Sequence, residues 1–407
     1  MSRLIVRNVG PIKEVDIDLK KVNVFIGAQS SGKSTLAKII SFCTWLDKHT
    51  DRTTKKYVNG AIDSLKKYHR MTDEYFYKDS AIFYQGDNMA YVYNWPENEP
   101  MPFTEDGYVT ELHTNDIEFF FEKTGRETNP KVLYIPAERN FVSAVPNLRK
   151  YQEDKDNLQD FVNTWFEVKR KYPKDKALKV LNLGVKYYYQ EDNYQDLVII
   201  DGERQIPLES SSSGLQSVIP LLVLVKWMSE GIYAEEKPFS PAENEEIEKI
   251  ILSGLTDLNK QDASIVDKLD RFLGFLSGRI YTHTQFIIEE PEQNLFPETQ
   301  CDLIYHILSS VNHGKNHRLV MTTHSPYILY ALNNCMDGFS VSDRLPENLK
   351  STIKSASSFI NPDDVNIWQI RDGKLENIKD GDSVGQHYFN EIMNSILDDY
   401  YKIQAYK

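Results

Sequence analysis

The sequence predicts an α/β fold with a mostly parallel core sheet flanked by helices, and three observations carry that prediction. Gly27-Ala28-Gln29-Ser30-Ser31-Gly32-Lys33-Ser34-Thr35 lies between a β-branched apolar run, Val22 to Ile26, and a helical pattern of Leu36, Ile39, Ile40 and Phe42. Two further short apolar runs, Gln285 to Ile288 and Arg318 to Thr322, flank a helical stretch from about Glu298 to Val311, and strand, helix, strand implies parallel pairing through a right-handed crossover. Both runs end in polar clusters, Glu289-Glu290-Pro291 and Thr323-His324-Ser325-Pro326, and open α/β sheets bind ligands at that rim.

The remaining elements follow in order. Leu4 to Val6 and Val15 to Leu19 flank Gly10-Pro11 as a hairpin, opening an N-terminal antiparallel β subdomain to which Ala81 to Tyr84 and Ala90 to Tyr93 add strands. A Lys-rich helix is expected around Asp63 to Arg70, and Val132 to Ile135 reads as a buried strand ending at Pro136-Ala137-Glu138-Arg139. From Phe141 to about Lys186 the residues favour helices. Leu197 to Ile200 is a strand, Gly214 to Ser229 an apolar buried helix, and Ala234 to Glu248 an acidic loop. The expected organisation is an N-terminal half over residues 1–140, an inserted helical lobe over 141–230, a C-terminal half over 231–335 and an extension over 336–407.

Composition narrows the class. Of 407 residues 41% are hydrophobic, 26% charged and 12% aromatic, as in globular domains, which excludes wholesale disorder and collagen-like or coiled-coil rods. The net charge of −13 excludes a uniformly phosphate-binding surface, although residues 1–70 carry 14 basic against 6 acidic side chains. Lys169, Arg170, Lys171, Lys174, Lys176 and Lys179 read as a solvated flank. Cys43, Cys301 and Cys335 are too scattered for a disulfide framework and read as core thiols. The apolar run Val218 to Val225 contains Pro220 and stops at Lys226, well short of the ~20 residues a membrane helix needs. Charges scattered through the N-terminal residues do not resemble a secretory signal. A cytoplasmic location without membrane contact is expected.

The nine residues from Gly27 to Thr35 fit G-x-x-x-x-G-K-[ST]. In that pattern glycines let backbone amides turn toward phosphates, Lys33 places a charge on the outer phosphates and the Ser34 hydroxyl can ligate Mg²⁺. Two adjacent carboxylates at a strand end divide their labour: Glu289 would hold the metal or its water, and Glu290 would polarise the water attacking the γ-phosphate. His324 would reach that phosphate as a hydrogen-bonding sensor. Glu209-Ser210-Ser211-Ser212-Ser213-Gly214-Leu215-Gln216 places hydroxyls and amides at a helix N-terminus, an anion site as well as an N-cap. Two lesser candidates weigh less. Tyr91, Tyr93 and Trp95 alternate as base-stacking residues would but suit sheet packing better, and Cys301, His306, His313 and His317 lack zinc-ligand spacing.

These four motifs in this order resemble the P-loop NTPase heads of the ABC superfamily, in the SMC, RecF and OLD-like branch, over about residues 1 to 335. Glu289-Glu290-Pro291-Glu292-Gln293-Asn294-Leu295-Phe296-Pro297 and Thr323-His324-Ser325-Pro326-Tyr327-Ile328-Leu329 look like the OLD-like forms of their motifs. Leu215 stands where transporter signatures have a second glycine, Glu289 replaces the usual Asp, and Phe296 falls where many D-loops carry Asp. For the loop that supplies a Gln to Mg²⁺ in relatives, Pro136 to Arg139 occupies the expected place and Gln85 competes.

The resemblance implies that ATP and Mg²⁺ are bound by Gly27, Ala28, Gln29, Ser30, Ser31, Gly32, Lys33, Ser34, Thr35 and Glu289. Catalysis would rest on Lys33, Glu290 and His324, and Ser213, Gly214 and Gln216 would cap the nucleotide of a second head in a homodimer or higher homo-oligomer. It implies ATP hydrolysis as the ATPase subunit of a bacterial DNA-repair or phage-defence complex, with a separate effector protein such as a nuclease, and DNA as a further contact. The alternative is a nucleotide-gated scaffold with negligible turnover.

Overall fold

The computed structural model describes residues 2–49, 60–104, 108–115, 117–123, 128–145, 156–234, 281–404 and 406, so beyond Ala234 the expected acidic loop lies outside them. The hairpin forms as expected: β1 (Ser2–Val9) and β2 (Ile12–Leu19) pair antiparallel, with Val9 opposite Ile12. Alternation along β2 buries Val15 and Ile17 and exposes Glu14, Asp16 and Asp18. Strand β3 (Val22–Gly27), buried throughout, enters the glycine-containing loop and then α1 (Lys33–His49). After α2 (Ala61–Tyr68), strands β4 (Phe76–Gln85), β5 (Met89–Tyr93), β6 (Tyr108–Asn115) and β7 (Glu118–Lys123) extend the antiparallel half outward from β1.

Strand β8 (Pro130–Ile135) leads to an inserted lobe that departs from the helical expectation. It holds α3 (Phe141–Ala144) and α4 (Asn157–Val168), but also an antiparallel sheet of β9 (Leu178–Lys179), β10 (Lys186–Gln190), β11 (Gln195–Ile200) and β12 (Arg204–Pro207). Tyr187, Tyr188 and Tyr189, just past the stretch expected to be helical, pair with Val198, Leu197 and Asp196 of β11, which contains the strand expected from Leu197 to Ile200. Lys169 is buried rather than solvated: it pairs with Asp196 at 2.7 Å beside the rings of Phe166 and Tyr189.

The lobe ends in α5 (Ser213–Lys226), continued by a wider turn over Trp227–Gly231. The whole run Ser213–Ala234 is long and apolar enough to cross a membrane, but 61% of its most apolar window is packed inside the fold, as in a core helix. Then follow β13 (His283–Glu289), α6 (Pro297–Val311), β14 (Arg318–Thr323) and α7 (Pro326–Ser340).

Residues 336–407, expected as an extension, contribute strands to the core sheet. Strand β15 (Val365–Arg371) pairs parallel with β3 from Val365 opposite Val22 to Ile370 opposite Gly27. Its antiparallel partner β16 (Lys374–Asn377) reaches β2 where Lys374 meets Glu14, and α8 (Tyr388–Gln404) follows. Among the described residues one sheet results, ordered β6-β7-β5-β4-β1-β2-β16-β15-β3-β14-β13-β8, with the parallel strands running from β15 to β8. Alternate side chains of β3 go to opposite faces: Phe25 joins Leu36, Ile39 and Ile40 of α1, while Val22, Val24 and Ile26 join apolar residues of α5, α6 and α7. Helices thus cover both faces, as the α/β class requires.

Candidate active site

Gly27 ends β3 with a φ of 153°, and a Cβ there would lie 2.8 Å from the carbonyl oxygen of Ile370, so β15 approaches too closely for any other residue. Ala28, Gln29 and Ser30 are exposed and turn the chain, Ser30 at a φ of 59°; Gly32, Lys33 and Thr35 are buried, and Ser31 and Ser34 half-buried. The Lys33 ammonium folds back across the loop, donating to the carbonyls of Gly27 at 2.9 Å and Ala28 at 2.7 Å. Burial brings it down to about 8, against the attraction of Glu290, Glu292 and Glu289.

Glu289, the last residue of β13, is buried, and burial pushes its carboxyl above the ordinary range; the nearby Ser34 hydroxyl and Lys38 ammonium oppose the shift. Among the described residues its Oε1 has no hydrogen-bond partner. A buried oxygen of this kind beside a hydroxyl is suited to a hard divalent cation, which Ser34 and Glu289 could hold.

Glu290 follows at a φ of 43°, and this left-handed residue swings its side chain out of the strand's alternation. Its Oε1 lies 3.3 Å from His324 Nε2, and its Oε2 accepts from Gln293 Nε2 at 3.1 Å. Chiefly the His324 contact, then the Gln293 amide and the Lys33 charge, hold this carboxyl down at about 2 despite partial burial. His324 follows β14, and its backbone N–H donates to Glu292 Oε1 at 2.5 Å.

Ser212 caps α5 by accepting from the Leu215 N–H, leaving Ser213 exposed at the first turn. A Cβ on Gly214 would lie 2.8 Å from the Asn294 carbonyl oxygen, so the serine-rich segment sits against the loop after Glu290. The Gln216 side chain turns back to donate to the carbonyls of Glu209 at 2.9 Å and Ser211 at 3.1 Å, and is engaged within its own loop.

The structure therefore gathers Lys33, Ser34, Glu289, Glu290 and His324 at the rim where β3, β13 and β14 end. It separates the two competitors for the Gln position. Gln85 pairs with Arg3 at the opposite rim and accepts from Thr104 N–H at 3.1 Å, so it is excluded from the site. Pro136 to Arg139 stays at the site, where Ala137–Asn140 forms one turn after β8. Tyr91, Tyr93 and Trp95 are buried; Tyr91 donates to Glu118 at 2.7 Å and Arg7 stacks 4.6 Å from the Trp95 ring, so they pack rather than stack on bases. Cys301 is only half-buried.

Two residues emerge that the motifs did not single out. Arg139 is fully buried and bonds to the backbone carbonyls of Glu289 at 2.9 Å and Glu290 at 2.8 Å. Glu292 is the acceptor beneath His324. Their signal was a charged residue inside an apolar or Pro-containing segment, which folds only if the charge finds bonding partners.

The model of the AAA ATPase domain family matches residues 1–177, the part that carries Lys33 and Ser34. The chain is an ATPase. Among solved structures this ATPase is similar to an SMC head domain from Thermotoga maritima, at 9% identity over 81% of this chain and 90% of that one, with a TM-score of 0.35. It is also similar to an Smc head with an extended coiled coil bound to a ScpA domain from Pyrococcus furiosus, at 11% identity over 98% and 100%, TM-score 0.37. A dimeric bacterial ABC transporter cassette, MJ0796, follows at 11% identity over 93% and 99%, TM-score 0.27. No curated protein matches the ATPase.

Proposed function

We propose that two copies of this ATPase close head-to-tail on Mg-ATP, that hydrolysis parts them, and that the cycle drives a separate effector in a bacterial DNA-repair or phage-defence complex. The observation that carries the reading is the convergence of Lys33, Glu289 and the Glu290–His324 contact at 3.3 Å on one sheet rim, with the exposed Ser213 turned toward solvent at the helix start. Lys33 meets charge on the outer phosphates, Glu290 accepts a hydrogen bond from the attacking water, and His324 holds the Glu290 carboxylate in place. Mg²⁺ held by Ser34 and Glu289 would neutralise charge developing between the terminal phosphates. Ser213 and Gly214 of one copy would cap the nucleotide of the other; the basic balance of residues 1–70 supports a contact with DNA.

The test is Glu290→Gln. It binds ATP, turns over at least ~10²-fold more slowly, and doubles in mass with ATP by light scattering. Parental turnover by this variant would overturn the assignment of Glu290, and unchanged mass would overturn dimerisation.

One observation favours a second reading, a nucleotide-gated scaffold. Both oxygens of the Glu290 carboxylate are already engaged, one by His324 and one by the Gln293 amide, which suits slow turnover. Steady-state phosphate release with and without DNA separates the two: a gate stays slow in both.

A further inference from the structure

Arg139 is fully buried, and among the described residues its hydrogen bonds go to backbone carbonyls, while Glu292, Glu290, Glu289 and Glu138 attract its charge without forming an ion pair with it. A buried charge is costly, and beside the nearby carboxylates the direct bonds that offset the cost go to backbone. Nη1 donates to the Glu289 carbonyl at 2.9 Å, Nη2 to those of Glu290 at 2.8 Å and Pro291 at 3.0 Å, and Nε to that of Ser217 at 3.1 Å. Three of these acceptors are consecutive residues of the turn that presents the Glu290 side chain, and the fourth lies on α5, one turn beyond Ser213 and Gly214. Glu290 holds its left-handed φ of 43° at this point, a conformation that persists only where the surroundings fix it. A planar fork of donors meets several carbonyls at once, which the flexible ammonium of a lysine does not.

We infer that Arg139 is a positioning residue, holding the Glu290 turn in its reactive geometry and tying that turn to the helix that begins at Ser213. The inference rests on the reading of Glu290 as the residue that orients water. Arg139 contacts no reacting atom; it acts through the backbone beneath Glu290.

The test compares full-length Arg139→Lys, Glu290→Gln and the double variant by thermal unfolding, titration with a fluorescent ATP analogue and single-turnover hydrolysis. The expected result is nucleotide affinity within about threefold of the parent and turnover reduced on the order of 10²-fold in Arg139→Lys, since small misplacements of a reacting group cost about that much. In the Glu290→Gln background the same substitution adds no further loss, because both act on one step. Should Arg139→Lys not fold, Arg139→Gln, a planar donor without charge, is read in the same way. Parental turnover in a folded Arg139 variant, or an equal further loss in the Glu290→Gln background, overturns the inference while leaving Glu290 in place. Parental turnover in Glu290→Gln overturns both.

Discussion

The Glu292 carboxylate accepts the backbone N–H of His324 at 2.5 Å, so the segment after β14 is fixed by the turn after β13. Glu292 is half-buried, and the desolvation of its carboxyl raises its pKa. Glu292→Ala leaves that N–H without its acceptor and is expected to cost about 1–3 kcal/mol of stability. The same variant frees His324 to drift from Glu290. Chemical denaturation checks the first effect and phosphate release the second, where a fall in turnover with unchanged ATP affinity is expected.

The Lys33 ammonium, brought down to about 8, loses its charge at a lower pH than an ordinary lysine. Bound triphosphate stabilises the charged form, so ATP affinity is expected to fall as pH rises through about 8, and binding above that pH takes up a proton. Calorimetry in buffers of different ionisation enthalpy reads the proton uptake directly. Lys33→Ala abolishes both the pH dependence and most of the affinity.

Glu290 has its folded-state pKa depressed from 4.5 to about 2. The sign follows: its ionised contacts stabilise the fold above about pH 4.5, and that contribution is lost as pH falls through about 2. Because His324 is the largest cause, His324→Ala moves the loss to higher pH. Unfolding midpoints of parent and variant measured from pH 6 downward are expected to differ most above about pH 4.5 and to converge as pH falls toward about 2. Coincident curves would sink this account of the contact.

Glu289 stores the opposite strain: a buried carboxyl with an orphaned oxygen. Glu289→Gln removes the cost of burying charge and is expected to leave the nucleotide-free protein as stable as the parent or more so, with a higher melting temperature. Its Mg²⁺ requirement for turnover rises at least ~10-fold, and Ser34→Ala shifts the same curve in the same direction. Turnover measured against Mg²⁺ concentration distinguishes this from loss of ATP binding.

The site was legible in the sequence where its chemistry is local. Gly27 to Thr35 lie on one strand–loop–helix unit, and Glu289, Glu290 and His324 are announced by the apolar strands before them. What escaped depends on partners far away in the chain. Arg139 falls within the candidate loop Pro136 to Arg139, and its role shows only when the carbonyls of Glu289 to Pro291 are brought beneath it, while the competing Gln85 is put at the wrong rim by its pairing with Arg3. The tyrosines of β10 lie just beyond the stretch from Phe141 to about Lys186 that favours helices, and nothing local marks them as a strand because their cross-strand partners Leu197 and Val198 decide the matter. Strand β15 buries Val365, Ile367, Gln369 and Ile370, but nothing in Val365 to Arg371 says that its neighbour is Val22 to Gly27.

That last pairing governs the order in which the molecule can be assembled during synthesis. The Lys33 loop leaves the ribosome early, yet the flank of β3 that β15 covers stays open until residues 365–371 have emerged, with most of the polypeptide between them. A long closure of this kind is slow, and an uncovered strand edge invites pairing with other chains. Nascent chains stopped before residue 365 should therefore be clients of chaperones, and nucleotide should protect them from proteolysis only once β15 is in place.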